Sequence, residues 1–79
     1  MTLELFHAIA DAESAAVRRH VVERGLEGRV RFRNVSYPEV EVDLRAHGGT
    51  CAPAVWDGAA LHVGEAACIA RLSRLETGG

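Results

Sequence analysis

Residues 50–62 read TCAPAVWDGAALH, and the middle of this stretch decides the fold. Ala54-Val55-Trp56 and Ala60-Leu61-His62 are short apolar-rich runs on either side of Asp57-Gly58. An Asp-Gly pair supplies the positive φ that tight hairpin turns need, so the spacing predicts strand, turn, strand. The sheet therefore holds an antiparallel pair, and every other element has to join that sheet or cover it.

Downstream, from Gly64 or Glu65 to Leu75, the residues Ala66, Ile69, Leu72 and Leu75 recur at helical spacing and predict a helix that buries one face. Residues 1–76 are expected to form one domain and 77–79 a flexible tail. Upstream, Gly48-Gly49 ends an element that follows Tyr37-Pro38. Proline suits the first turn of a helix, so a short helix through Leu44 to Ala46 is expected, although Val40 and Val42 equally allow an extended stretch. Residues 29–35, Arg-Val-Arg-Phe-Arg-Asn-Val, alternate as a strand should, with Val30 and Phe32 expected in a core and Arg29, Arg31 and Arg33 in water. Residues 2–7 alternate similarly through Leu3, Glu4 and Leu5 before Phe6. Between these strands Asp11 is a good N-cap for a helix reaching Arg24, with Val17 and Val21 on one face and Gly25 closing it. A strand, a helix and a strand in this order suggest a βαβ unit.

Composition narrows the function classes. Seventy-nine residues with 48% hydrophobic and 25% charged residues make one small globular domain. A net charge of −2 gives no electrostatic footprint for nucleic acid, and the alternating arginines are better explained as the wet side of a strand. No apolar run approaches a membrane span, and the N-terminus lacks the layout of a secretory signal, so a cytoplasmic protein is expected. Cys51 and Cys68 are far apart and belong to no CxxC or His/Cys cluster, which argues against a zinc site. Small buried thiols are the plain reading of both. His7, His20, His47 and His62 are scattered, and only His7, ending the first strand, points towards the start of the first helix.

The order β-α-β-α-β-β-α resembles the glutaredoxin branch of the thioredoxin-like fold and the N-terminal domain of glutathione transferases. The resemblance covers about residues 3–75. It is carried by Val17-Arg18 with Gly25-Leu26, by Ala52-Pro53-Ala54-Val55 before Asp57-Gly58, and by Gly64-Glu65 followed by Ile69 and Leu72. It implies an α/β three-layer fold with a four-stranded mixed sheet, and a cis peptide bond at Pro53 where X-Pro base rates alone would give trans. The reactive Cys-X-X-Cys of the family would fall on Asp11-Ala12-Glu13-Ser14, and no sulfur is there. Family members place a cysteine at that helix tip because the exposed N–H groups and the macrodipole stabilise a thiolate. Here Asp11 supplies a carboxylate in its place, which removes ordinary dithiol exchange.

The residues themselves also allow plainer roles: Asp11 as an ordinary N-cap, and Ser14 bonding to first-turn backbone. The resemblance makes glutathione a candidate ligand, held by the main chain of Ala52 beside Pro53 and by the tip of the last helix. There Glu65 is kept and Ala66 replaces the family's serine. Cys51, two residues before Pro53, would border the same cleft as a monothiol. The expected function is thus a noncatalytic ligand-binding or protein-interaction module without a redox dithiol. The alternative is a monothiol oxidoreductase, or a glutathione-dependent redox protein, that uses Cys51, with Asp11 and Ser14 as further catalytic candidates. A transferase N-terminal domain is a third reading, set against the helical second domain that such proteins add.

Overall fold

A computed structural model describes residues 2–76, so the expected tail over residues 77–79 lies outside the described residues. In chain order come β1 (Leu3–His7), α1 (Ala12–Glu23), a 3-10 turn (Glu27–Arg29), β2 (Val30–Asn34), α2 (Pro38–Ala46), β3 (Ala54–Trp56), β4 (Leu61–Val63) and α3 (Glu65–Glu76). The four strands lie in the order β2-β1-β3-β4. β1 runs parallel to β2 and antiparallel to β3, and β3 pairs antiparallel with β4 through the Asp57-Gly58 turn, where Gly58 has φ +94°. The sheet is mixed because a crossover through α1 joins its first two strands while a tight turn joins its last two.

Because side chains alternate along each strand, the sheet feeds two cores. Leu3 and Leu5 of β1, Val30 and Val55 pack with Val17 and Val21 of α1 and with Cys68, Leu72 and Leu75 of α3. Phe6 and Ala54 point the other way, against Val40 and Leu44 of α2. The stretch after Tyr37-Pro38 is therefore a helix: Pro38 opens it, Val40 and Leu44 four residues apart face the sheet, and Val42 is left exposed. In α3 the buried stripe is Cys68, Arg71, Leu72 and Leu75; Ile69 is only partly buried and Ala66 is exposed, so the inward face is rotated from the one expected.

Two sequence expectations for β2 are corrected. Phe32 lies outside the core at 41% exposure, because β2 is an edge strand and α1 does not extend over its outer flank. Arg33 does not face water. Its guanidinium lies beneath α2, paired with Glu4 of β1 and with Asp43 of α2 at 2.6 Å, and its side chain is 13% exposed. Arg31, on the same face, does stay exposed; Arg33 alone reaches under α2, where two carboxylates accommodate it.

Candidate binding site

Three element tips meet at one end of the sheet. The Ala52–Pro53 peptide bond is cis, and the Pro53 carbonyl accepts the Gly64 N–H at 2.9 Å, which ties the loop before β3 to the start of α3. One residue on, the Glu65 N–H donates to the Glu13 carboxylate at 3.2 Å, joining the tips of α3 and α1. A carboxylate suits a helix N-terminus because the first N–H groups lack intrahelical partners and carry the positive end of the dipole. The position at which the resemblance implies a ligand carboxylate is thus met from within the chain.

The opening turn of α1 is fully organised. Asp11 is the N-cap, and its carboxylate accepts the Ser14 N–H at 2.7 Å. The Ser14 hydroxyl is completely buried and accepts the Ala8 N–H at 3.1 Å, so it secures the preceding loop and not the first-turn backbone. Ser14 is accordingly shielded from any ligand, whereas half-buried Asp11 remains reachable. The same loop is held by Arg18, whose guanidinium donates to the carbonyls of Ala8 at 3.0 Å and Ile9 at 3.4 Å and meets His7 Nδ1 at 3.2 Å. Since an arginine only donates, His7 Nδ1 is the acceptor. Burial, followed by the nearby Arg18 charge, lowers the His7 pKa.

The two cysteines part company. Cys51 is exposed on the loop before Pro53, contrary to the buried small thiol expected there, because residues 50–52 precede β3 and have no helix over them. Cys68 is buried between α3 and the sheet, and its thiol donates to the His62 carbonyl at 3.3 Å. Burial, with the Glu13 carboxylate adding to it, pushes that thiol up to about 12 against a weaker opposing backbone hydrogen bond from Val55, so it is inert near neutral pH. Of the other expected ligand contacts, Ala52 is half-buried, Pro53 buried, Glu65 half-buried and Ala66 exposed. Among the described residues, the backbone N–H and C=O of Ala52 have no hydrogen-bond partner.

A cluster that sequence reasoning missed stands at the hairpin. The Asp57 carboxylate accepts the Ala59 and Ala60 N–H groups at 2.9 and 2.8 Å, and it meets His62 Nε2 at 2.9 Å and Arg71 Nε at 3.0 Å. These bonds, with the His62 contact foremost, hold its carboxyl well below the usual carboxylate range. The Asp-Gly signal locates the turn but says nothing of Arg71, which arrives from α3 fourteen residues later. The cluster locks the hairpin to the helix.

Among the described residues no group of three or more His, Cys, Asp or Glu side chains could hold a metal ion, and no helix is long and apolar enough to cross a membrane. Comparison with family models, with curated proteins and with solved structures returns no match.

Proposed function

We propose that this chain is a thioredoxin-like domain of the glutaredoxin type that has lost the redox dithiol and serves as a noncatalytic binding module. The reading is carried by the meeting of the α1 tip, the Pro53 loop and the α3 tip, with the carboxylate of Asp11 where the family's first cysteine would stand. The strand order, with β1 parallel to β2 and antiparallel to β3, and the cis bond before Pro53 support it. The working surface is the Ala52 backbone. Its free N–H and C=O suit the main chain of an extended peptide, and glutathione is the smallest probe of that kind.

The test is titration of the isotopically labelled protein with reduced glutathione, following amide shifts. Saturable movement at Ala52, Glu65 and Ala66 supports the module, and no movement up to millimolar ligand removes it. The exposure of Cys51 favours the alternative of a monothiol oxidoreductase acting from the same loop. That enzyme needs a thiolate already formed near neutral pH, so iodoacetamide should alkylate Cys51 far faster than an unperturbed thiol. Alkylation at the ordinary slow rate is the outcome expected for the binding module.

A further inference from the structure

The loop of residues 8–10, between β1 and the α1 tip, is held by a side chain that depends on a histidine. One guanidinium nitrogen of Arg18 both donates to the Ala8 carbonyl and meets His7 Nδ1, while the other donates to the Ile9 carbonyl. The Ile9 carbonyl has no second partner among the described residues. His7 is buried, and with Nδ1 accepting from Arg18 its neutral ring carries the proton on Nε2.

No acid stands by to receive a charged imidazole. From β2, Phe32 meets the ring edge-on and Asn34 lies opposite His7 in register, and neither ionises. Glu4, Arg31 and Arg33 belong by alternation to the other face of the sheet, under α2. On α1, Asp11 accepts the Ser14 N–H and Glu13 the Glu65 N–H, which leaves Arg18 as the charge that faces His7. α3 packs on α1, β3 and β4, where Arg71 is paired with Asp57, and Glu76 with His20 and Arg24. Among the described residues no carboxylate forms a hydrogen bond or ion pair with His7.

A proton taken up by this ring goes to Nδ1, since Nε2 already holds one. It turns the acceptor facing Arg18 into a donor and sets two cations against each other. We propose that His7 and Arg18 form a proton-operated latch on the loop of residues 8–10, shut by the neutral imidazole and opened by the imidazolium. Ser14 keeps the Ala8 N–H and Asp11 keeps its cap, so opening frees Ile9 and Ala10 while α1 stays folded. Because the unfolded chain takes this proton more readily than the folded one, the latch is shut at neutral pH and opens only below the ordinary imidazole pKa of about 6.5. The loop leads into the α1 tip, so the latch also sets how that tip is presented beside the Ala52 surface, a consequence that rests on the binding reading above.

The experiment follows the isotopically labelled full chain without ligand from about pH 8 to about pH 4.5, across the imidazole range. Long-range proton–nitrogen spectra at the alkaline end should show His7 with a bare Nδ1 and a protonated Nε2. On acidification the Ile9 and Ala10 amides should shift with the same midpoint as the His7 ring, below about 6.5, and their heteronuclear NOE should fall. His7→Asn keeps a side-chain acceptor that does not titrate, so these amides should stay still over the range in which the wild-type ring titrates. Arg18→Met should raise the His7 midpoint and place the Ile9 and Ala10 amides near their acid positions at every pH. The opposite tautomer, loop amides that follow only Asp11 near pH 4, or a His7 midpoint unmoved by Arg18→Met would each overturn the inference. Should a variant fail to fold, the shared midpoint in the wild type decides alone. No ligand is present in any of these measurements, so the glutathione titration stands or falls separately.

Discussion

Asp57 carries several jobs on one carboxylate: two turn amides, an imidazole and a guanidinium converge on it. Asp57→Asn keeps a side-chain carbonyl for the turn amides and removes the charge, so it isolates the pairing with His62 and Arg71. The depressed carboxyl gives the sign of the pH dependence: the unfolded chain takes up this proton first as acid is added. The stabilisation is therefore complete above the ordinary aspartate pKa of about 4 and fades as pH falls below it. Urea unfolding should show wild type more stable than Asp57→Asn at pH 7, with the gap narrowing steadily in acid. A gap that does not depend on pH would mean that the ion pairs contribute nothing. Little of this hub could be read from the sequence, since the Asp-Gly signal is local whereas Arg71 reaches Asp57 only through tertiary packing. Asp11, by contrast, was legible as an N-cap because capping depends on neighbours three residues away.

The loop between α2 and β3 turns on a buried glycine. A Cβ on Gly49 would lie 2.6 Å from both Leu44 Cδ1 of α2 and Leu61 Cδ2 of β4, so helix and strand pinch the backbone from two sides. Gly49→Ala should cost about 1–3 kcal/mol by overpacking, seen as a lower urea midpoint with an unchanged slope. The hairpin, α1 and α3 announced themselves through turn chemistry, capping and apolar spacing. β2 misled, because alternation shows that a strand has two sides and cannot tell how far a helix covers each. The same seven residues that place Val30 inward leave Phe32 half in water and draw Arg33 under α2 towards Asp43. Whether residues 38–46 were helix or strand was undecided locally, and the need to cover Phe6 and Ala54 settles it.

The molecule as a whole divides its apolar interior unequally across the sheet. The α1–α3 side holds most of the fully buried side chains, and Leu72 lies at its heart with no exposed surface. Leu72→Ala should cost about 2–5 kcal/mol, a large share of the roughly 5–15 kcal/mol available to a domain. Thermal unfolding followed by circular dichroism would then fall at a markedly lower temperature. The convergence of the three tips was legible only as a consequence of the resemblance, because the Gly64 and Glu65 bonds link parts of the chain 11 and 52 residues apart. On the thinner α2 side, the lone tryptophan, Trp56, is stacked on His47 with ring centroids 3.9 Å apart and planes 13° from parallel. His47 caps the end of α2 and Trp56 belongs to β3, so the indole has a built-in quencher that stays close only while that helix is seated. Emission from the unmodified protein therefore registers departure of α2 from the sheet, and it can tell loosening of one layer from loss of the other without any attached dye.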